Sequence, residues 1–185
     1  MARPPPQLRP TGRTGPGHRL RRRDPPHPRP LEDFDVTGLD ISARPIELAR
    51  RNVPTACFIH GDVTGLAFPP ASSDAAVASY SLFHLPRAED RTLFRSVARW
   101  LRPGGVLLAN FGVGNREVDY DEDWLRGPLF WSSFDADGER AALSAARFEL
   151  ALDCVETVME DGRPHRFLLV VARNPRGAMT VTPDR

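Results

Sequence analysis

The sequence contains no lysine, so all 25 of its basic residues are arginine, a bias that fits a very GC-rich coding sequence. It contains only two cysteines, Cys57 and Cys154, at a separation that matches no metal-binding spacing. We predict that both are small buried apolar residues, in a protein of the reducing cytoplasm. No apolar run approaches the roughly 20 residues needed to cross a bilayer, and no apolar signal core follows the early arginines. Neither a membrane span nor a secretory leader is therefore expected.

The first thirty residues have almost no apolar side chains. They contain eight of the 25 arginines, one acidic residue and nine of the 19 prolines. Such a segment buries too little surface to offset the entropy of ordering it, so we predict that residues 1–30 are disordered. The remainder has 17 arginines against 23 acidic residues and is long enough for one hydrophobic core. We expect one domain over residues 31–174 and a tail over residues 175–185.

From residue 34 onward, apolar runs alternate with amphipathic segments, which predicts alternating strands and helices. Ser42 is the expected N-cap of the first helix, Asp161-Gly162 is the expected turn of a terminal hairpin, and residues 115–134 are expected to be a loop. Buried strands alternating with helices indicate a doubly wound α/β fold with a mostly parallel sheet and a C-terminal antiparallel hairpin. The predicted strands are 34–41, 56–62, 74–85, 106–114, 148–160 and 166–174, and the predicted helices are 42–52, 88–101 and 135–148.

Four segments of this pattern are similar to one known family. Asp40 ends one strand, H-G-D at 60–62 ends the next, S-D-A-A-V-A-S-Y-S-L-F-H-L at 73–85 forms another, and L-R-P-G-G-V-L-L at 101–108 leads into a further strand. With these segments in this order over residues 34–174, the chain resembles a class I S-adenosylmethionine-dependent methyltransferase. The resemblance implies a Rossmann-like fold, S-adenosylmethionine as the cofactor and a small molecule as the methyl acceptor.

The resemblance also implies which residues bind the nucleoside part of the cofactor. Asp40 would accept hydrogen bonds from both ribose hydroxyls, which a carboxylate does strongly because the bonds are charge-assisted. Ile41 would pack on the adenine, and Asp62 would bind the adenine amino group together with the backbone of Val63. Taken alone, Asp40 is also compatible with a helix-start acid, and Asp62 with an ordinary Gly-Asp turn.

The remaining candidate residues follow later strands. Tyr80 and Ser81 lie at the edge of the sheet where ligands bind in such folds, and the resemblance places them at the methionine end of the cofactor. His84 would either face the substrate or pack against the following helix. Trp124 and Trp131 would form aromatic walls of a substrate lid, or else belong to a loop that covers the sheet edge. Proximity and orientation can drive methyl transfer from a sulfonium, so no catalytic residue is assigned.

The sequence lacks the glycine-rich turn that this family places after its first strand. The window where the turn belongs, GPGHRLRRRDPPHPRP at 15–30, has no apolar strand, and its prolines exclude a helix. Read one base later, the codons of residues 15–23 permit V-L-D-I-G-C-G-A-G, which is a strand, an acid and three glycines in the family's spacing. We therefore predict that residues 1 to about 30 are an out-of-frame reading. The missing strand is the central one, between the second and fourth in the family's order.

Three other classes of protein are compatible with parts of the sequence. A nicotinamide-dependent enzyme would also place an acid such as Asp40 on a ribose, although L-R-P-G-G and the terminal hairpin disfavour it. A non-catalytic remnant is compatible with the absent glycine turn. A nucleic-acid binder could use the arginine-rich arm, but that arm has no aromatic residues among its arginines and the body is acidic, so no nucleic-acid partner is expected. The oligomeric state is left open by these patterns.

Overall fold

The computed structural model describes residues 34–124, 127–160 and 162–175. The chain divides into two compact units, the first ending at Leu66 and the second beginning at Ala67. The predictions for residues 1–30 and for nearly all of the tail lie outside the described residues. Within the described residues, no helix is both long and apolar enough to span a membrane.

The first unit contains two parallel strands joined by a helix. β1 (Thr37–Asp40) pairs with β2 (Cys57–His60) in their own two-stranded sheet. The helix between them, α1 (Ala43–Asn52), buries Ile46. Ser42 is its N-cap, as predicted, but the Ser42 side chain makes no capping hydrogen bond.

The second unit is built on a four-stranded sheet whose order is β3-β4-β8-β7. β4 runs parallel to β3, while β8 runs antiparallel to both β4 and β7. Three of the four strands therefore share one direction, and β8 alone is reversed. This arrangement confirms the α/β fold with its C-terminal antiparallel hairpin. The elements are β3 (Ser73–Ala78), α2 (Arg87–Trp100), β4 (Leu101–Gly112), β5 (Arg116–Trp124), β6 (Gly127–Ser133), α3 (Ala136–Ala145), β7 (Glu149–Glu160) and β8 (Arg163–Arg173).

One face of this sheet forms the core together with α2 and α3. We call it the covered face, and it is defined by alternate residues of β4 and β8. Phe111 of β4 meets Phe94 of α2 edge-on, with ring centroids 5.7 Å apart. The alternation follows from the two-residue period of a strand, and the apolar stripe of α2 follows from the helical period. The buried side chains of the covered face are Leu107, Ala109, Phe111, Leu168, Val170 and Ala172.

The L-R-P-G-G segment joins α2 to β4 without a loop. The helix ends at Trp100 and the strand begins at Leu101, earlier than predicted, because Leu101 already pairs with Ser73. Gly104 has a φ of +79°, a conformation that residues with a Cβ rarely adopt. A Cβ on Gly105 would lie 2.9 Å from the carbonyl oxygen of Arg102, so this close approach also requires glycine.

Three sequence predictions are wrong. The strand predicted over 74–85 ends at Ala78, and Leu82–His84 is a short 3₁₀ helix. Residues 115–134 are not a loop, because β5 and β6 pair as an antiparallel hairpin. The acidic residues of β5 conceal the strand in the sequence, since acidic side chains disfavour strands on average. Cys57 and Cys154 are exposed rather than buried. The sequence predicts burial from residue type alone, whereas exposure depends on whether another element covers that face of the strand.

Candidate functional site

In the first unit, the Asp40 carboxylate lies at the carboxyl end of β1. Its Oδ1 accepts a hydrogen bond of 2.7 Å from the backbone N–H of Ser42, so Asp40 does act as a helix-start acid. Its Oδ2 makes no hydrogen bond within the described residues. Because a carboxylate accepts several hydrogen bonds through two oxygens, the bond to Ser42 leaves Asp40 able to bind a further hydroxyl donor.

Ile41 and Asp62 follow the carboxyl ends of the two parallel strands. Ile41 is 66% exposed, and its carbonyl oxygen lies 3.0 Å from Nε2 of His60. Asp62 is the N-cap of a short 3₁₀ helix (Val63–Gly65), and its Oδ1 accepts hydrogen bonds from the backbone N–H and the hydroxyl of Thr64. The ordinary turn role of Asp62 is thus present in the structure, while Ile41 offers an apolar surface to a ligand.

In the second unit, Tyr80 follows β3 in a strained conformation with a φ of +50°, which is uncommon for any residue other than glycine. Its backbone N–H donates to Oδ1 of Asn110 at 2.6 Å, and Asn110 is only 5% exposed. The Tyr80 ring is 49% exposed and meets Phe167 edge-on at 5.2 Å. Ser81, also exposed, starts a 3₁₀ turn. Asn110 therefore holds the turn at the carboxyl edge of the sheet.

His84 packs against the hairpin formed by β5 and β6. Its ring centroid lies 4.7 Å from those of Phe83 and Trp131, and Trp131 stacks on Phe83 at 5.1 Å. Nδ1 of His84 lies 2.8 Å from the carbonyl oxygen of Phe130. Since that oxygen only accepts, Nδ1 carries a proton, and in the neutral form of the ring Nε2 is left as an acceptor. Trp124 ends β5, and its side chain lies outside the described part of the chain.

Ser132 fastens the hairpin to the start of α2. Its hydroxyl donates to the carbonyl oxygen of Glu117 at 2.7 Å and accepts from the backbone N–H of Arg87 at 3.0 Å. The Arg87 guanidinium lies over the Phe134 ring, 4.9 Å from its centroid. The predicted lid is therefore an ordered hairpin with a hydrogen-bonded anchor.

Two buried carboxyl groups lie near this anchor, in the first turns of α2 and α3. Asp90 is 4% exposed, and burial raises its pKa to about 8, with Glu139 and Glu89 adding repulsion. Glu139 is 1% exposed, and burial raises its pKa to about 7 although it accepts a hydrogen bond from the Phe134 backbone N–H. The sequence analysis missed both residues, because acids in a first helical turn look like ordinary solvent-exposed residues that favour the helix dipole.

A cavity of about 600 Å³ lies at the opposite edge of the four-stranded sheet. The C-terminal ends of α2 and α3 lie beside it, and their carbonyl groups attract cations. The arginines that line the cavity thus complement these helix ends. None of the predicted site residues lines the cavity. The charged lining residues are Arg95, Arg99 and Arg147.

The structure brings the predicted site residues together in two groups, one in each unit. Asp40, Ile41 and Asp62 lie at the carboxyl ends of β1 and β2. Tyr80 and its neighbours to His84 lie between the end of β3 and the hairpin. Within each unit the group follows the carboxyl ends of strands, the position at which open α/β sheets bind their ligands. Within the described residues, no group of three or more His, Cys, Asp or Glu could hold a metal ion.

Part of the chain is similar to known methyltransferases. Residues 25–105 match a family model described as a methyltransferase domain. Over 72 residues the chain is 32% identical to an uncharacterized methyltransferase of Synechocystis, which covers 39% of this chain and 34% of that protein. Over 82 residues it is 39% identical to the 27-O-demethylrifamycin SV methyltransferase of Amycolatopsis mediterranei, which covers 40% and 29% respectively. The chain thus matches about a third of the length of these relatives.

The fold is that of the Rossmann-like methyltransferases. A SAM-dependent methyltransferase from Methanosarcina mazei superimposes with a TM-score of 0.67 at 20% identity, covering 79% of this chain and 84% of that one. A 1,6-didemethyltoxoflavin-N1-methyltransferase of Burkholderia thailandensis, solved with bound substrate and S-adenosylhomocysteine, gives a TM-score of 0.58 at 20% identity and covers 78% and 64%. The match of residues 25–105 to the methyltransferase-domain model and the fold shared with these solved methyltransferases agree with the resemblance seen in the sequence.

Proposed function

We propose that this protein binds S-adenosylmethionine and transfers its methyl group to a small molecule. The observation that supports this most directly is the Asp40 carboxylate at the end of β1, with Oδ2 free of hydrogen bonds within the described residues, beside the exposed Ile41. An acid and an apolar side chain in this position suit a ribose and an adenine. S-adenosylmethionine, when bound, supplies an electrophilic methyl group on a sulfonium.

The proposed role of the residues is to bind and orient. Asp40 accepts hydrogen bonds from the ribose hydroxyls through Oδ2, Ile41 packs on the adenine, and Asp62 with the backbone of Val63 binds the adenine amino group. Tyr80 and Ser81 contact the methionine end. Orientation of two reactants can account for a large part of the barrier to such a displacement, so this scheme requires no dedicated base.

The acceptor is proposed to lie against His84 and the hairpin. Nε2 of His84 can accept a hydrogen bond from an N–H or O–H of the acceptor molecule, because the ring proton is on Nδ1, which donates to the Phe130 carbonyl oxygen. Trp131 and Phe83 provide an aromatic wall, and Trp124 is proposed to extend it. The names of a relative and of a structural neighbour, which act on a rifamycin and on a toxoflavin precursor, support a small-molecule acceptor.

A second candidate function is that of an inactive remnant, which the absent glycine turn favours. We propose that the turn is encoded one base out of frame within residues 15–23. The family match begins at residue 25 and so does not include the window of residues 15–23. A chain whose N-terminal codons are read in the shifted frame, called here the frame-repaired chain, would then regain the turn.

The proposal is tested by titrating the frame-repaired chain with S-adenosylmethionine and, separately, with a nicotinamide dinucleotide. We expect binding of S-adenosylmethionine only. Asp40→Ala should weaken it by about ten- to a hundredfold, since a charge-assisted hydrogen bond contributes about 1.5–3 kcal/mol.

Asp40→Asn separates cofactor binding from the turn that precedes α1, because its amide oxygen can still accept from the Ser42 N–H while its charge is lost. It should weaken binding and leave α1 intact. Glu47→Ala, on the exposed side of α1, is the matched control and should change nothing. Equal affinity of the parent and both Asp40 variants would remove Asp40 from the site, and preferential binding of the dinucleotide would favour the oxidoreductase class.

A further inference from the structure

The cavity beside the C-terminal ends of α2 and α3 is lined by charges of one sign. Its volume of about 600 Å³ is typical of small-molecule sites, and all of its lining residues belong to the second unit. Three of them are arginines, and none of the described lining residues is acidic. The chain from residue 31 onward has 17 arginines against 23 acidic residues, so this concave, wholly positive surface differs from the rest of the body. We call Arg95, Arg99 and Arg147 the cavity arginines.

The cavity arginines have no partner for their charge within the described residues. The ion pairs found there involve other arginines, and the three guanidinium groups make no hydrogen bond in that part of the chain. Arg95 and Arg99 are also four residues apart on α2, a spacing at which like charges repel each other. The stability of the helix therefore does not explain why both residues are arginine.

The carbonyl groups at the end of α2 already have hydrogen-bond donors other than these guanidinium groups. The Arg99 carbonyl oxygen accepts a hydrogen bond of 2.9 Å from the Ala71 backbone N–H. Nδ2 of Asn174 donates to the carbonyl oxygens of Ala98 and Leu101, both at 2.9 Å. What remains is the general attraction of a helix end for cations, which is weak at an exposed position and is screened by salt. The positive charge around the cavity is thus left available to a ligand.

Arg147 occupies a position at which glycine is usual. It follows the C-cap of α3, Ala146, with a φ of +69°. Its N–H donates to the Ser144 carbonyl oxygen at 2.8 Å, and the N–H of Phe148 donates to that of Leu143 at 3.1 Å. This pair of bonds ends many helices, with glycine as the residue of positive φ, because glycine adopts that conformation without strain. The side chain of Arg147, rather than its backbone, therefore indicates a role, and it lines the cavity.

We propose that this cavity binds a small anion with two or more phosphate or carboxylate groups, held by the cavity arginines. Each guanidinium presents its N–H donors in a planar fork that matches two oxygens of a phosphate or carboxylate group. Three unpaired cations are neutralised by a multivalent anion rather than by a single charge. None of the residues proposed to bind the cofactor or the methyl acceptor lines the cavity. The inference therefore stands or fails separately from the methyltransferase proposal.

The test titrates the full chain with pyrophosphate and, separately, with citrate by calorimetry, at an ionic strength held constant with sodium chloride. We expect at least one of these anions to bind, and their comparison shows whether phosphate or carboxylate groups are preferred. Arg95→Gln and Arg99→Gln should each weaken binding by about three- to tenfold, because each removes one charged donor at an exposed site. Arg91→Gln is the matched control, since Arg91 is exposed on α2 but does not line the cavity. It should bind like the parent.

Arg147→Gly separates anion binding from stability. The variant should weaken binding by a similar factor, while its melting midpoint stays the same or rises, because glycine suits the positive φ at this position. A purely structural role of Arg147 predicts a lower midpoint and an unchanged affinity. The proposal is overturned if neither anion binds, if Arg91→Gln weakens binding as much as the variants of the cavity arginines do, or if Arg147→Gly keeps the affinity of the parent.

Discussion

The fold places the carboxyl groups of Asp90 and Glu139 in an environment that disfavours their charged form. Both are buried, and the pKa of each is raised, to about 8 and about 7, chiefly because burial disfavours the charged form. Oε2 of Glu139 has no hydrogen-bond partner within the described residues. The two groups repel each other when charged. At neutral pH, proton binding by this pair is therefore part of what stabilises the packing of α2 on α3.

This pair makes stability depend on pH. Between about pH 4 and pH 8 the folded chain binds more protons than the unfolded chain, so the free energy of unfolding is highest at the acidic end and falls as pH rises. Asp90→Asn replaces the carboxyl group with an amide of nearly the same shape that does not titrate. We expect it to raise the free energy of unfolding at pH 8 by on the order of a few kcal/mol and to flatten its decrease between pH 5 and pH 8.

Urea unfolding at several pH values measures this effect. Glu89→Gln, at the exposed neighbouring acid, is the control and should keep most of the parent's slope. A slope that is the same in Asp90→Asn as in the parent would show that Asp90 is ionised in the folded chain.

At the scale of elements, the hairpin β5–β6 is the least expected part of the structure. Few of its own residues favour strands, but two of them fix the hairpin to the segment after β3. The Ser132 hydroxyl accepts a hydrogen bond from the Arg87 backbone N–H, and Trp131 stacks on Phe83. The hairpin covers His84, whose Nδ1 bonds to the Phe130 carbonyl. Its order therefore depends on contacts with the segment that follows β3, and so does the shape of the proposed acceptor site.

Ser132→Ala is expected to loosen the hairpin. It removes the hydrogen bonds of a side chain that is 3% exposed and leaves a part-buried N–H unpaired, at a cost of about 1–3 kcal/mol. Amide exchange should become about tenfold faster, or more, at Arg87 and along β6. Ser133→Ala is the matched control, since Ser133 is also buried but makes no side-chain hydrogen bond within the described residues. Equal exchange in both variants would contradict the anchoring role.

At the scale of the whole molecule, charge and packing are distributed unevenly. Residues 1–30 contain eight arginines and one acidic residue, while the rest of the chain has an excess of acidic residues. The described strands form separate sheets, β1–β2 in the first unit and the four-stranded sheet and the hairpin in the second. Stability is therefore expected to reside mainly in the covered face of the second unit.

Deleting residues 1–30 is expected to change the free energy of unfolding by less than about 1 kcal/mol. The segment has almost no apolar side chains to bury, and nine of its residues are prolines that cannot donate to a strand ladder. Thermal melts of the parent and the deletion variant measure the difference, with the frame-repaired chain, expected to be more stable by several kcal/mol, as the comparison. If deletion unfolds the protein and frame repair has no effect, the segment is a structural element and the shifted frame is wrong.

Outside residues 115–134, the sequence by itself determined the order of strands and helices, the terminal hairpin and the position of Asp40 at a strand end. These features depend on local periods, caps and turns, such as the glycine at 162 with its φ of +74°, and local pattern encodes them. The site residues predicted from the family motifs also lie at strand ends, because each motif directly follows its strand in the sequence. The assignment of those residues to a cofactor remains a prediction.

Only the tertiary structure decided which side chains are buried, paired or exposed. His84 and Phe130 are 46 residues apart, and Tyr80 and Asn110 are 30 apart, so no local pattern could pair them. The hairpin became ordered through such contacts despite its acidic strand. Cys154 is exposed although its residue type favours burial. Burial depends on which element covers a face, and that is a property of the assembled sheet rather than of the strand.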